Sequence, residues 1–320
     1  NLNLFWTFYL GRIFNVLAYA VLAYFSVKIA KQWKPFMAVL TTFPMVVYLA
    51  ASYNQDGVAN GIIFLALAVF INMAAGEDKI RLKDVAIYLL LCMVIVTGKL
   101  PYVLIAGFLV FLEPRKFESK KIYALMLGGV LAAAVFTLLW YGSATGIDSF
   151  KPEGANPQKQ MEFLMSHPSM IVKVSLDGVI NVISKYMETF RLGWLSYSSD
   201  HVAILYLMFF SSVFVLYPIK KIKLTLFNKA GIISGCLGII AGIVMSQYLN
   251  WTPVESQDTL GVQGRYFIGL FALLPLFINV SSLFYREEAE ELPLEAEIST
   301  SRVKAEDPWL VKQSVWLSSM

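Results

Sequence analysis

A 320-residue chain in which 58% of residues are hydrophobic and only 15% are charged is too apolar for a water-soluble domain, where about a quarter of residues carry charge. Its net charge of +4 sits on lysines and arginines gathered in a few loops, so it marks membrane topology and excludes a nucleic-acid-binding reading. The two cysteines, Cys92 and Cys236, lie inside apolar runs and offer neither a disulfide framework nor a metal-ligand spacing.

The first apolar run covers residues 5–29 and is followed by Lys28, Lys31 and Lys34. A second run, 36–53, reaches a short polar turn at 54–57, and a third spans 58–75. Residues 77–84 hold three cations. Two runs, 85–97 and 102–112, are too short to span comfortably and are joined by Gly-Lys-Leu-Pro at 98–101. After a basic segment at 113–121 come a span at 122–141, a long loop at 142–200, and three further spans at 202–218, 230–249 and 266–284. The pattern predicts an all-α, polytopic transmembrane helical bundle with about nine membrane segments. The chain has no initiator methionine and opens almost within a span, which reads as an N-terminal truncation.

Cation placement orients the bundle. If 85–112 forms a hairpin, the clusters at 28–34, 79–83, 115–121 and 220–229 share one face, which the positive-inside rule makes cytoplasmic. The turn at Asp56, the turn at Lys99, the long loop and the motif at 261–267 then share the outer face. In the long loop, Leu176, Val179, Ile180, Ile183, Met187 and Phe190 recur at helical spacing opposite Lys173, Asp177, Asn181, Lys185 and Glu188. Such a helix lies in the headgroup plane or packs on the bundle. We expect a transmembrane domain over 1–285, including the 142–200 extracytoplasmic loop with its amphipathic helix, and a glutamate-rich, disordered cytoplasmic tail over 286–320.

No phosphate-binding loop, dinucleotide fingerprint or zinc motif is present, and His167 and His201 stand alone. The candidate chemistry is a set of polar groups on the outer face. Arg265, in Gly-Val-Gln-Gly-Arg-Tyr-Phe at 261–267, is a permanent charge at the slab edge that an anionic headgroup would stabilise. Lys99 and Arg12 could join it at a phosphate, or serve as an interfacial anchor and a snorkelling arginine. Asp56 is the best acidic candidate, with helix capping as the plain alternative. Asn15, which shares a helical stripe with Arg12 and Tyr19, could bind substrate or bridge helices.

These residues also carry a resemblance. Arg-Ile-Phe-Asn at 12–15, Pro44 through Ser-Tyr-Asn-Gln-Asp at 52–56, Lys-Leu-Pro-Tyr at 99–102, Asn-Pro-Gln at 156–158, His-Pro at 167–168, Gly-Trp-Leu at 193–195 and Trp-Thr-Pro at 251–253 run in order into the Arg265 motif. Together they resemble the bacterial polytopic family of domain of unknown function 2142, over about residues 12–283. That family is similar to the GT-C class of membrane glycosyltransferases, which transfer sugar from a polyprenyl phosphate on the outer face of the membrane. The resemblance implies a multi-pass protein of the bacterial cytoplasmic membrane that modifies a cell-envelope polysaccharide or teichoic acid. The implied partners are the bilayer, a polyprenyl-phosphate sugar donor and a glycan acceptor. Asp56 would be catalytic. Arg265, Lys99 and Arg12 would bind donor phosphate, and Asn15, Tyr102, Asn156, Gln158, Gln263 and Tyr266 would contact substrate. No cofactor is identified, and a divalent metal known in the wider class finds no ligand set in the sequence. GT-C enzymes carry an acidic residue in their first outer loop, which here would lie upstream of residue 1. A flippase or exporter of a lipid-linked saccharide, or a non-catalytic scaffold of an envelope-synthesis complex, are the competing readings.

Overall fold

The computed structural model describes residues 3–144, 152–186, 200–216 and 224–277. The elements are α1 (Leu4–Ile29), α2 (Lys34–Thr41), α3 (Pro44–Ala50), α4 (Gln55–Ala75), α5 (Leu82–Val96) and a 3₁₀ stretch, Leu100–Phe111. They continue as α6 (Lys120–Ala144), α7 (Pro157–Ser166), α8 (Pro168–Tyr186), α9 (Asp200–Leu216), α10 (Leu226–Trp251), a second 3₁₀ stretch, Gly264–Leu273, and α11 (Leu274–Phe277). Among the described residues the fold is helical, and strand-like pairing is confined to one bridge between Ile80 and Phe117.

Four of these helices are long and apolar enough to cross a membrane: α1, α4, α6 and α10. The expected count of about nine is therefore not reproduced, and the reasons are local. The run at 36–53 is two helices, because Pro44 disfavours helical geometry at Phe43 and restarts the chain as the first residue of α3. The run at 266–284 enters as 3₁₀ backbone, and its end lies outside the described residues. The tail at 286–320 also lies outside them. The segment pair at 85–112 is a hairpin: the Tyr88 hydroxyl donates to the Ile105 carbonyl at 2.6 Å, and the Ile80 N–H donates to the Lys116 carbonyl at 2.8 Å. Both basic segments flanking the hairpin consequently meet at one end of the bundle.

Each interruption exposes backbone carbonyls that an apolar setting cannot solvate. Side chains from neighbouring helices supply the donors. The polar stripe of α1 serves the ends of α2 and α3: Tyr19 donates to the Thr41 carbonyl, and Arg12 Nε donates to the Ala51 carbonyl at 2.7 Å. Asn15 Nδ2 faces the carbonyls of Ala50, Ser52 and Asn54 at 3.0, 2.8 and 3.0 Å. At the far end of α4, the Lys116 ammonium meets the Ala74 carbonyl, and Asn72 donates to the carbonyl that ends α1 at Ile29. Asn228 closes the 3₁₀ stretch by donating to the Phe111 carbonyl.

Helix α10 lies along the 3₁₀ stretch 100–111 through a row of glycines. A Cβ at Gly231 would lie 2.0 Å from the Phe111 ring, and one at Gly235 2.4 Å from the Phe108 ring. Farther along, Gly238 faces Leu104 at 3.0 Å and Gly242 faces Pro101 at 3.2 Å. Small residues at this spacing let two apolar backbones approach, which is how helices gain packing energy where lipid offers no hydrophobic drive. Helix α8 seats on α10 in the same way, with Gly178 against Val244. The amphipathic helix expected over 169–191 thus packs on the bundle. Its buried line is Met170, Val174 and Val182, while Leu176 and Ile180, assigned to its apolar face from spacing, are exposed. Met187, Glu188 and Phe190 lie outside the described residues.

Gly235→Ala should lower the melting temperature of the detergent-solubilised protein through about 1–3 kcal/mol of overpacking against the fully buried Phe108. Gly128→Ala, where a Cβ meets nothing within 4 Å, should leave it unchanged or raise it.

Candidate functional site

The N-terminus of α4 is capped by Asn54, whose Oδ1 accepts from the Asp56 N–H at 2.7 Å. Asp56 is therefore not the cap. It stands in the first turn, where the positive end of the helix dipole favours a carboxylate. Lys99 lies in the tight turn between the arms of the hairpin, outside both. Its N–H bonds the Ile95 carbonyl at 2.8 Å, and the next stretch starts directly after it with Leu100 and Pro101. Arg265 is the second residue of the second 3₁₀ stretch, after a loop turned at Gly261, whose φ of 78° favours glycine and where a Cβ would lie 2.2 Å from the Trp251 indole. That glycine serves the packing of the loop against Trp251.

The three charges converge. Lys99 Nζ lies 3.6 Å from Asp56 Oδ1, and Arg265 Nε lies 3.7 Å from Asp56 Oδ2. Their side chains are only 8%, 12% and 15% exposed for Lys99, Asp56 and Arg265, so little water screens them. Both separations exceed the 2.7–2.9 Å or so of a charge-assisted hydrogen bond. The Arg265 Nε–H accordingly has no hydrogen-bond partner among the described residues. Lys99 Nζ does make one, to Asn60 Oδ1 at 2.9 Å. Burial pushes the Lys99 ammonium below the usual lysine range, the Asp56 carboxylate pulls it back up, and Arg265 pushes it down again. The cluster carries two cations against one carboxylate, a surplus suited to an anion.

A cavity of about 450 Å³ opens over this cluster. Its lining brings together Asp56, Lys99, Tyr102, Arg265 and Tyr266, with Ser246 and Gln247 from α10. The Tyr102 hydroxyl donates to the Tyr266 carbonyl at 2.8 Å, tying the hairpin to the Arg265 segment, and the Arg265 guanidinium lies 5.3 Å from the Tyr266 ring centre.

Other residues singled out from sequence lie elsewhere. Arg12 is spent on the Ala51 carbonyl and on the rings of Phe8 and Tyr9, at 5.7 and 5.8 Å, away from the cavity lining. Asn15 borders a separate depression with Gly11, Tyr53, Asn54 and Gln55. Asn156 caps α7 by accepting from the Lys159 N–H at 3.1 Å, and Gln158 is exposed on that helix. Gln263 precedes the second 3₁₀ stretch and does not line the cavity; its Oε1 is buried without a hydrogen-bond partner. Sequence reasoning missed Asn60, a polar residue one helical turn after Asp56 in the largely apolar α4, and the adjacent Ser246 and Gln247 in α10. Among the described residues no three of His, Cys, Asp or Glu gather in a metal-ligating group.

The family model of DUF2142, described as a predicted membrane protein, matches residues 1–274. No curated protein and no solved structure matches the chain. The matched region contains every residue of the charged cluster and nearly all of the described bundle: this chain belongs to the DUF2142 family of predicted membrane proteins.

Proposed function

We propose that the protein is a membrane glycosyltransferase that takes sugar from a polyprenyl-phosphate donor and adds it to a cell-envelope glycan on the outer face of the bacterial cytoplasmic membrane. The observation that carries this reading is the convergence of Asp56, Lys99 and Arg265 in one cavity at one end of the bundle. An enzyme that acts on a lipid-anchored phosphate needs its charges where the headgroup lies. An ion-coupled transporter places them near the midplane instead.

In this reading the donor phosphate enters between Lys99 and Arg265. The arginine holds two phosphate oxygens through its planar fork, and the lysine adds a point charge. The incoming anion competes with Asp56 for both cations, leaving the carboxylate free to orient an acceptor hydroxyl and take its proton. That hydroxyl attacks the anomeric carbon, and the bond to the phosphate oxygen breaks with its electron pair on the phosphate. The two cations stabilise the charge that develops there. Tyr102 and Tyr266 would border the sugar, and Asn60 would hold the Lys99 ammonium in place.

Arg265→Ala should lower sugar transfer from labelled polyprenyl-phosphate sugars by about 10²–10³-fold in membranes. Asp56→Asn should lower it by about 10²–10⁴-fold. Both variants should still insert, and the cell-surface polymer should lose a sugar. Unchanged transfer and unchanged polymer composition in both would remove the catalytic assignment, whereas undecorated lipid-linked precursor held on the inner leaflet would identify a flippase.

A pH series separates the two cations. Phosphate affinity should weaken as pH rises through the depressed pKa of Lys99, because the ammonium loses its proton there. In Asp56→Asn the upward pull on Lys99 is gone, so the weakening should begin at lower pH. Titrating both proteins with inorganic phosphate checks the order.

A further inference from the structure

We propose that the cleft between the end of α1 and the start of α5 is a binding site for one anionic phospholipid, with the phosphodiester held by Lys31, Lys79 and Arg81. The cleft measures about 310 Å³, and its floor is Val69, Asn72 and Met73 of α4. It stands at the opposite end of α4 from Asp56. The 16 helical steps from Asp56 to Asn72 correspond to about 24 Å of helix, most of the thickness of a bilayer's hydrocarbon core. One end of this rod therefore lies near each headgroup layer.

The charges of the cleft leave one positive charge over. Lys31 Nζ lies 3.6 Å from Asp78 Oδ2, and Arg81 Nε lies 3.7 Å from Asp84 Oδ2. Both separations are too long for direct hydrogen bonds, so both cations can still turn toward an entering phosphate. Lys79 donates to the Arg115 carbonyl at 2.5 Å, which occupies one of its protons and neutralises none of its charge. Among the described residues Lys79 pairs with no carboxylate. A single phosphodiester, with one negative charge, balances that surplus. A zwitterionic lipid brings an ammonium of its own and does not.

The walls fit the rest of the molecule. Ile29, Ile80 and Ile87 give the cleft an apolar side, and from Ile87 an exposed stripe continues through Leu90 and Val94 on one face of α5. These residues recur at i, i+3 and i+7, so the stripe runs along the bundle wall as an acyl chain would. Basic pockets between helices at a membrane surface recognise anionic lipids by this combination of phosphate contact and chain contact. The site owes nothing to the sugar-transfer reading and stands or falls separately.

The test uses the full chain in detergent micelles, titrated with phosphatidylglycerol, phosphatidylcholine or glycerol 3-phosphate and read by retained lipid in native mass spectrometry. The parent should keep phosphatidylglycerol in preference to phosphatidylcholine, and glycerol 3-phosphate should not displace it. Lys79→Ala combined with Arg81→Ala should weaken phosphatidylglycerol binding by about tenfold or more. Lys83→Ala, at the same end but outside the cleft, should not. Ile87→Trp fills the cleft without touching its charges and should also expel the lipid. Equal retention of both lipids, displacement by glycerol 3-phosphate, or parent-like binding in both the double variant and Ile87→Trp would each overturn the proposal.

Discussion

Backbone that leaves the α-helix inside an apolar bundle must find hydrogen-bond donors, because neither lipid nor packed side chains can supply them. Most of this architecture answers that requirement. The carbonyls of Thr41, Ala50, Ala51 and Ala74, and that of the 3₁₀ terminus Phe111, lie at or beside breaks in an otherwise greasy chain. Tyr19, Asn15, Arg12, Lys116 and Asn228 each deliver a donor to one of them. Several polar residues of the described spans are thus committed to broken backbone. Asp56, Lys99, Asn60 and Arg265 stand out because they are polar, nearly dry, and occupied with one another instead of with broken backbone.

The arrangement of those residues has an electrostatic logic. Removing the carboxylate would leave two buried cations uncompensated, at a cost of about 3–5 kcal/mol, so Asp56 is what allows Lys99 and Arg265 to be buried side by side. Its long contacts, 3.6 and 3.7 Å, show that it is not closed into tight bonds. A loose, mostly buried cluster with a positive surplus under an open cavity is the basis of the anion-binding reading proposed above. Shorter contacts would make it a structural staple.

Four of the hydrophobic runs were legible as membrane-length helices, and so was the hairpin at Lys99, because apolar length and basic flanks follow bilayer thickness and surface charge directly. The meeting of Asp56, Lys99 and Arg265 was legible only as a hypothesis that charges on one face share a hollow. Arg12 shows the limit of that reasoning. It lies near the same end, yet the unsatisfied carbonyl at Ala51 claims it, and nothing in the sequence marks that carbonyl as exposed. The side of α8 that meets the bundle was not legible for a related reason. Apolar spacing grouped Leu176 and Ile180 on one face, whereas the absence of a side chain at Gly178 decides which side can approach α10. The 3₁₀ geometry of 100–111 and 264–273 left no signature in composition at all.

The glycine row of α10 reaches farther than its own contacts. Its last member, Gly242, faces Pro101 just after the turn that holds Lys99, and Ile243, Ser246 and Gln247 beyond it line the cavity. The helix then runs on through Trp251 into the loop that delivers Arg265. The interval between the two cations is accordingly set by how closely two backbones nest several turns away. A methyl group added deep in that seam would act on the charged site as a wedge driven under a lever, altering the reach of a guanidinium that it never touches.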